Sequence, residues 1–321
     1  MDYKGLDIIK AELDILDDFI IRSIGSPQPL IASTVRELAS AGGKRIRPAL
    51  TILVGKALGH QNKNLIPIAA SMEIIHMSTL VHDDIVDDAQ IRRGIPTVQS
   101  KYGKDIAVFT GDYLFSKAFL IIAQYADKNR LSGFAHAVKR ICEGEIEQYE
   151  NRFSLDVSLL KYLRRIRRKT GILLALSCAA GIGTSKVDRK IARSLVRYGI
   201  YLGLAFQITD DILDYTGDSM LIGKPVGNDV GQGIYTLPLI YAINHYEDKD
   251  ELIRNLKTDS YGRVNIGKIM SIVNSCGGID FSQKLVERYI RKGIESIEPL
   301  KDSRYKDALK DLIKSISNRQ Y

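Results

Sequence analysis

Apolar side chains recur at helical intervals along most of this chain, whereas the apolar–polar alternation typical of strands is scarce. The pattern predicts a helix over residues 30–41 that ends at Gly42-Gly43, and a helix over 66–81 that is apolar nearly all round and therefore buried. Further helices are predicted over residues 106–126, 132–150, 155–180, 189–215, 235–246, 264–276, 279–296 and 302–317. Since no linker or low-complexity tract separates these segments, we expect a single all-α domain over residues 1–321.

Composition and charge narrow the class of protein without choosing a function. Hydrophobic residues make up 45% of the 321 residues, which is ordinary for a globular chain that buries a large core. Three cysteines without CxxC spacing argue against a disulfide framework or a zinc ribbon. The formal net charge of +8 indicates an anionic partner, which composition leaves open as nucleic acid, a membrane surface or a phosphorylated small molecule.

The sequence shows no pattern of a targeting or membrane-spanning segment. No stretch reaches the roughly 18 uninterrupted apolar residues of a membrane span. Acidic residues stand near the N-terminus, where a signal peptide has bases. Unpaired thiols also suit a reducing compartment. We therefore expect a cytoplasmic protein.

Two aspartate segments, LVHDDIVD (80–87) and QITDDILD (207–214), repeat one pattern at the ends of apolar helical runs. On a helix, the first and third aspartates share a face and the second lies beside them. Clustered carboxylates repel unless a cation compensates, and oxygen-only ligands favour magnesium, which shares its shell with phosphates. Two such clusters facing each other would grip a diphosphate, whereas the alternative is a solvated acidic helix end. The predicted metal ligands are Asp83, Asp84, Asp87, Asp210, Asp211 and Asp214, whereas the adjoining Asp88 is predicted to be solvated.

Basic residues accompany both clusters. The segment GGKRIRP (42–48) places three cations after a glycine turn, which suits a phosphate site, although a solvated surface turn is the alternative. Arg92 and Arg93 follow the first cluster closely enough to meet a metal-bound phosphate. Within the basic run 164–169, only Lys169 adjoins an apolar stretch and is predicted to point inward, whereas most of the others are predicted to form a solvated face. No aromatic residues interleave with this run, as they do in single-strand nucleic-acid platforms.

Three polar residues near the clusters are ambiguous. His76 lies two turns before Asp83 on the same face, so it is either a phosphate contact or a packed core residue. His82 lies on a different face, which favours a structural role. Gln207 precedes Asp210 by one helical step and either directs a carbonyl dipole into the site or packs as a polar core residue.

Six motifs in order resemble those of the trans-isoprenyl diphosphate synthases over about residues 20–240. They are GGKRIRP (42–48), HDDIVDDAQIRRG (82–94), GDYL (111–114), GEIEQ (144–148), RKTGILL (168–174) and FQITDDILDYTGDSMLIGKPVGND (206–229). The stretch from GEIEQ to the basic run is most similar to the catalytic component of two-component heptaprenyl or hexaprenyl diphosphate synthases. The resemblance implies an all-α, isoprenoid-synthase-type helical bundle around a deep central cavity. It also implies a homodimer, or a heterodimer with a small regulatory subunit, and a role in making the side chain of a quinone such as menaquinone.

The resemblance implies head-to-tail condensation of an allylic diphosphate, farnesyl diphosphate in particular, with isopentenyl diphosphate. It implies about three magnesium ions per active site, held by the six aspartates. By motif, isopentenyl diphosphate is held by Lys44, Arg47, His76 and Arg93, and the allylic diphosphate by Arg92, Lys169 and Lys224. Thr170 and Gln207 direct dipoles at the developing carbocation. Release of a long apolar product also implies transient contact with a membrane.

Two positions bear on the product and on the partner. Ile234 stands where the family commonly has a lysine, which puts activity of the isolated chain in doubt and fits a two-component enzyme. Ser78 and Thr79 lie five and four residues before Asp83, where short-chain family members carry a bulky aromatic residue. A growing tail can pass these small residues toward Phe115 and Phe119, so we expect a product longer than four isoprene units, heptaprenyl diphosphate in particular.

Other functions stay open at this point. A short-chain homodimer of the geranylgeranyl diphosphate synthase type would differ only in product length. A terpene cyclase has no second diphosphate to bind, which the GGKRIRP segment argues against. A non-catalytic binding subunit would usually have lost aspartates from one cluster, and all six are present. A helical nucleic-acid-binding protein would lose affinity steeply with salt.

Overall fold

Helices make up nearly all the regular structure in a computed structural model of the protein, which describes residues 5–40, 42–60, 64–92, 94–183, 187–217, 226–257 and 264–317. The N-terminal helices are α1 (Lys10–Ser23), α2 (Pro29–Ser40), α3 (Ile46–Ala57), α4 (Leu65–Val86), α5 (Val98–Tyr102), α6 (Lys104–Tyr125) and α7 (Lys128–Glu150). The others are α8 (Leu159–Ile166), α9 (Ile172–Ile182), α10 (Arg189–Thr216), α11 (Asn228–Gly231), α12 (Leu237–His245), α13 (Lys249–Leu256), α14 (Ile266–Ser275), α15 (Gly278–Ile297) and α16 (Arg304–Lys314). A 3-10 turn (Asp7–Ile9) precedes α1, and an antiparallel hairpin pairs β1 (Ile91–Arg92) with β2 (Ile95–Pro96). The predicted all-α class is confirmed.

Most predicted helices are present with ends that lie within about a turn of the predicted ones. The prediction of one helix over 155–180 was wrong at its start, because α8 begins only at Leu159. Ser158 caps it, with its hydroxyl oxygen accepting from the Lys161 N–H at 3.3 Å. A π-helical turn (Arg167–Gly171) then joins α8 to α9. Five of the helices in the described residues were not predicted. The apolar positions of α1, α3 and α13 are interrupted by charged residues or by proline, and α5 and α11 are too short to show a helical period.

The chain divides into two compact units, each assembled from separate stretches. The first comprises Met1–His136, Leu176–Val196 and Ile297–Leu312, and the second comprises Ala137–Ala175, Arg197–Ser296 and Ile313–Tyr321. A single domain over 1–321 stays a prediction.

Helix α4 forms the core of the first unit. It packs against α1, α3 and α6, and nearly every residue from Leu65 to Ser78 is buried. The predicted burial of 66–81 is therefore confirmed for most of its length. Only the last turns of α4 reach the surface, and they carry the first aspartate cluster.

Two helices of the first unit, α4 and α6, are long and apolar enough to cross a membrane by length and composition alone. The apolar window of α4 is 72% buried inside the protein, as expected of a core helix. That of α6 is only 39% buried. Helix α6 therefore leaves much of its apolar surface uncovered by its own chain.

Close approach of α10 to the π-helical turn shapes the second unit. A methyl group on Gly203 of α10 would lie 2.6 Å from the Cα of Gly171, so only glycine fits here. We expect Gly203→Ala to lower the free energy of unfolding by about 1–3 kcal/mol, because the backbone must move apart. Gly133 in α7 has no atom within 4 Å of such a methyl group, so the control Gly133→Ala should stabilise by up to about 1 kcal/mol. Urea denaturation measures the free energy of unfolding of both variants, and equal changes in Gly203→Ala and Gly133→Ala would contradict the packing argument.

Candidate active site

The first aspartate cluster lies at the C-terminal end of α4. Asp83 and Asp87 are half-buried and share a helix face, as the i, i+4 spacing predicts. Asp84 is 5% exposed and its carboxylate accepts from Arg92 Nε at 2.7 Å. The cluster thus combines two half-buried carboxylates with a buried one that is paired with a cation.

The β1–β2 hairpin and α5 hold the end of α4. The side-chain amide of Gln99 donates to the backbone carbonyls of Asp84 at 2.8 Å and of Ala89 at 2.9 Å. These bonds satisfy carbonyls at the helix end and bring the hairpin, with Arg92, back over the cluster. Arg93 lies outside the described residues.

Two residues beside the cluster have the structural roles that were predicted for them. The His82 ring lies 3.3 Å from an Asp112 carboxylate oxygen of α6. Asp88 is 68% exposed and pairs with Lys104 at 2.9 Å. Neither side chain joins the pair formed by Asp83 and Asp87.

The cations predicted to bind isopentenyl diphosphate all belong to the first unit. Lys44 precedes α3, Arg47 lies in its first turn and His76 lies on α4, and all three are half-buried. Half-burial reduces the screening of their charges by solvent, and the Nε atom of Arg47 is itself buried. Their roles stay predictions.

The two predicted chain-length residues differ in their surroundings. Ser78 is buried, and its hydroxyl donates to the backbone carbonyl of Gly111 in α6 at 2.9 Å. A methyl group on Gly111 would overlap the His82 ring, so α4 and α6 touch closely here. Thr79 is only half-buried, and its hydroxyl donates to the His76 carbonyl at 2.9 Å. Of the two residues, Thr79 is therefore the less buried.

In the second cluster, Asp211 is buried within a hydrogen-bond network. Its carboxylate accepts from the Tyr162 hydroxyl at 2.6 Å and from Gln207 Nε2 at 2.9 Å. Burial raises the pKa of Asp211 to about 6, although both hydrogen bonds act in the opposite direction. Burial, with the Asp211 charge, also raises the pKa of Tyr162 well above its usual value, so Tyr162 remains a donor.

The same network fixes the dipoles of Gln207 and Thr170. Because the Gln207 amide donates to Asp211, its carbonyl oxygen faces the Thr170 hydroxyl, which donates to it at 2.6 Å. The Thr170 hydrogen is thereby used within the protein, and its oxygen lone pairs are directed away from Gln207. Thr170 lies in the π-helical turn, a geometry that often occurs at functional sites.

The other two aspartates of this cluster are half-buried. The Asp214 carboxylate accepts from the backbone N–H groups of Asn228 at 3.2 Å and Asp229 at 3.3 Å. The backbone N–H of Gly227, at φ +76°, donates to the Asp214 carbonyl at 2.9 Å. These bonds hold residues 227–229 against the end of α10 and orient the Asp214 carboxylate.

The basic run is more ordered than predicted. Lys169 Nζ lies 3.1 Å from Glu145, and Arg168 pairs with Glu147, so two acids of the GEIEQ motif meet this run. The Arg165 guanidinium donates to the Tyr235 carbonyl at 2.6 Å. Arg164 and Arg167 are exposed, as predicted for most of the run, whereas Arg165 and Arg168 are half-buried and bonded to other segments. Lys224 lies outside the described residues.

Ile234 occupies an apolar position in the second unit. Its side chain is 9% exposed, and its backbone N–H donates to the Asp229 carbonyl at 2.8 Å. An aliphatic residue therefore suits this position, whereas a lysine would have to extend out of the packing to keep its charge hydrated.

The donor set fits a hard divalent cation such as magnesium. Among the residues that the structure describes, no three His, Cys, Asp or Glu side chains converge as a complete metal site. Magnesium does not need such a cage, because it binds through one or two carboxylates and completes its shell with water and substrate phosphates. Asp83 and Asp87 stay the predicted pair of oxygen ligands. Asp84 remains a predicted ligand whose bond to Arg92 would have to be released.

The sequence alone did not indicate the roles of three residues at these sites. Arg45 and Glu73 form an ion pair at 2.9 Å, and Tyr162 holds Asp211. A lone acid within the apolar run 66–81 was the available signal for Glu73, since a buried acid requires a partner. No pattern in the sequence indicates that Arg45 pairs with Glu73 or that Tyr162 bonds to Asp211.

Comparison with known proteins identifies relatives over the whole chain. The sequence model of the family described as polyprenyl synthetase matches residues 28–273. Heptaprenyl diphosphate synthase component 2 of Bacillus subtilis (strain 168) is 34% identical over 322 residues, covering 100% of this chain and 92% of the relative.

Solved structures agree with this result. The crystal structure of heptaprenyl diphosphate synthase from Staphylococcus aureus has a TM-score of 0.92 at 30% identity and covers 98% of this chain and 99% of its own. That of polyprenyl synthase from Caulobacter crescentus CB15, complexed with calcium and isoprenyl diphosphate, has a TM-score of 0.91 at 30% identity, with 99% and 97% coverage. Other similar proteins are octaprenyl and geranylgeranyl diphosphate synthases, so the relatives differ in product length.

Proposed function

Because this chain belongs to the polyprenyl synthetase family of trans-prenyltransferases, we propose that it condenses farnesyl diphosphate head-to-tail with isopentenyl diphosphate to give heptaprenyl diphosphate. The observation that carries this proposal is the pair Asp83 and Asp87, two half-buried carboxylates on one face at the end of a buried apolar helix. Such a pair suits a magnesium ion that also binds diphosphate oxygens.

The reaction begins with cleavage of the allylic carbon–oxygen bond, whose electron pair leaves with the diphosphate. Magnesium, when bound, offsets the negative charge that develops on this leaving group. By the motif roles, Asp83, Asp84 and Asp87 would hold the cation on the allylic diphosphate, and Asp210, Asp211 and Asp214 would hold a further one. Lys169 adds a fixed positive charge at the leaving group. Its bond to Glu145 keeps that side chain in place before substrate binds.

The allylic cation then needs stabilisation without a nucleophile that would trap it. The Thr170 oxygen supplies lone pairs in a fixed direction, because its hydrogen is bonded to Gln207. Lys44, Arg47 and His76 hold the second diphosphate, which places the isopentenyl double bond for attack on the cation. A carbon–carbon bond forms, one proton is lost, and the released diphosphate serves as the base.

The decisive experiment incubates the purified chain, alone and together with a small regulatory subunit, with farnesyl diphosphate, labelled isopentenyl diphosphate and magnesium, and resolves the products by mass spectrometry. From the fully assembled enzyme we expect a polyprenyl diphosphate longer than four isoprene units. A dominant product of four units or fewer from the fully assembled enzyme would contradict the long-chain assignment. Hydrocarbon formed without isopentenyl diphosphate would instead favour a cyclase.

A second subunit is part of this proposal. Relatives from Bacillus subtilis and Geobacillus stearothermophilus are named component 2 of heptaprenyl diphosphate synthase. The exposed apolar surface of α6 offers a contact area for a partner, and its exposed large side chains are Val108, Phe109, Phe119 and Leu120. We expect little product from the isolated chain and full activity with a small regulatory subunit. Full activity of a homodimer would contradict the requirement for that subunit.

Thr79→Phe should shorten the product. Thr79 lies one turn before Asp83 on α4 and is half-buried, so we expect a ring there to meet the growing tail. Thr79→Val, which keeps the size, is the control and should leave the length distribution unchanged. Product lengths are measured by mass spectrometry at equal conversion. An unchanged distribution for Thr79→Phe would show that the tail does not pass this residue.

A further inference from the structure

A buried ion-pair network connects the start of α3 to the middle of α4. The Arg45 guanidinium binds Glu73 of α4 through Nη1 at 2.9 Å and Asp17 of α1 through Nε at 2.9 Å. The side chains of Arg45 and Glu73 are only 13% and 5% exposed, whereas Asp17 is 46% exposed. One guanidinium thus joins three helices of the first unit.

The backbone of Arg45 is unusual as well. It adopts the left-handed conformation, with φ 48° and ψ 29°, as the residue that caps α3. A non-glycine residue is strained in this conformation and keeps it only where its surroundings enforce it. The two ion pairs are those surroundings, because they fix the side chain from both ends.

The network lies among the cations assigned to isopentenyl diphosphate. Lys44 directly precedes Arg45, and Arg47 follows it by two residues in the first turn of α3. Glu73 precedes His76 by three residues, so both lie on neighbouring parts of the same face of α4. The Arg45–Glu73 bond therefore joins the segment that carries Lys44 and Arg47 to the helix that carries His76.

Arg45 itself is poorly placed to bind a substrate phosphate. Its charge is matched by two carboxylates, and although burial alone disfavours the charged form, Glu73 and Asp17 raise the pKa of Arg45 above its usual value. It therefore stays charged and paired. Its neighbours Lys44 and Arg47 carry the phosphate contacts predicted from the motif.

We propose that Arg45, held by Glu73 and Asp17, is a positioning residue that sets Lys44, Arg47 and His76 at the spacing required by the diphosphate of the isopentenyl substrate. This inference rests on the proposed function. A merely structural ion pair would change stability alone, because the pair would have no particular relation to one of the two substrates. The two roles are separated by comparing affinity for isopentenyl diphosphate with affinity for the allylic diphosphate.

The test uses the full chain and Glu73→Gln, which leaves the packing volume nearly unchanged and removes the charge that holds Arg45. Calorimetric titration should show affinity for isopentenyl diphosphate reduced at least about tenfold, as expected for loss of a group that orients ligands. Affinity for farnesyl diphosphate with magnesium should change less than about twofold. In turnover assays the KM for isopentenyl diphosphate should rise with little change in kcat.

Arg45→Gly removes both ion pairs and leaves the backbone geometry possible, because glycine adopts the left-handed conformation without strain. If the ion pairs matter, Arg45→Gly should weaken isopentenyl diphosphate binding as much as Glu73→Gln does. The matched control is Glu37→Gln, which breaks the Lys101–Glu37 pair, whose side chains are both 48% exposed, and should leave both affinities unchanged.

Three outcomes overturn the inference while the proposed function survives. They are unchanged affinity for isopentenyl diphosphate in Glu73→Gln, an equal loss for both substrates, and normal binding by Arg45→Gly. If Glu73→Gln does not fold, Asp17→Asn replaces it, because that half-exposed partner can be removed with less cost, and a selective loss of at least about threefold is then required. Failure of the wild-type chain to bind either diphosphate would instead contradict the proposed function.

Discussion

Asp83→Ala should lower kcat by about a thousandfold or more, because it removes a carboxylate that holds the cation on the leaving diphosphate. The remaining Asp87 cannot substitute, since the i, i+4 pair shares one ion and Asp84 is bonded to Arg92 at 2.7 Å. The effect should lie in kcat, because the charge on the leaving group develops in the transition state. The fold should persist, since Asp83 lies at the half-buried end of α4.

Asp88→Ala is the matched control for this prediction. Asp88 follows the cluster directly, yet its side chain is 68% exposed and pairs with Lys104. Its removal should change kcat less than about twofold, as expected of an exposed ion pair. Steady-state rates over a magnesium titration measure both variants, and Asp83→Ala should also need more magnesium for half-maximal rate. Equal losses in the two variants would exclude Asp83 as the metal ligand.

The fold was largely predictable because one property, the helical spacing of apolar residues, recurs along the chain. The run 66–81 is so apolar that burial was its only stable outcome, and α4 is buried there. Helix α3 was missed because Arg47 and Pro48 interrupt its first turn. Yet proline is tolerated in that turn, where no intrahelical N–H bond is lost. Local pattern therefore underestimates helices whose first turn is irregular.

The candidate site was predictable only in part. The shared face of Asp83 and Asp87 was predictable, because residues four positions apart lie on one face of any α-helix. The bonds that Asp84 makes to Arg92, and Asp211 to Tyr162, depend on distant segments meeting in space. The left-handed backbone of Arg45 likewise depends on two carboxylates from other helices. Sequence thus identifies the chemical groups, while their partners emerge only from tertiary packing.

Asp211→Asn should abolish most activity and yet stabilise the metal-free protein at neutral pH. Burial raises the pKa of Asp211 to about 6, above the 3.8 of an ordinary aspartate. Between these values the native state keeps its proton while the unfolded chain has lost it, so stability falls as pH rises. The decrease in the free energy of unfolding is complete above about pH 6 and amounts to about 3 kcal/mol. Because asparagine carries no charge, Asp211→Asn should regain this amount at pH 7.

Tyr162→Phe provides a variant of opposite sign. It removes the hydroxyl that donates to Asp211 at 2.6 Å and stabilises its charged form, so it should destabilise the protein more at pH 7 than at pH 4. Urea denaturation with a chelator at both pH values measures the two differences from wild type. Magnesium with a diphosphate ligand should then stabilise wild type more than Asp211→Asn, because asparagine lacks the charge with which a carboxylate binds the ion of the second cluster. A stability difference for Asp211→Asn that is the same at pH 4 and pH 7 would show that the buried carboxylate carries no such cost. Suppose that Asp211→Asn is stabilised, that Tyr162→Phe is destabilised more at pH 7, and that magnesium with diphosphate stabilises wild type more. The Asp211 carboxylate then destabilises the metal-free fold and becomes favourable only when a cation and diphosphate are bound.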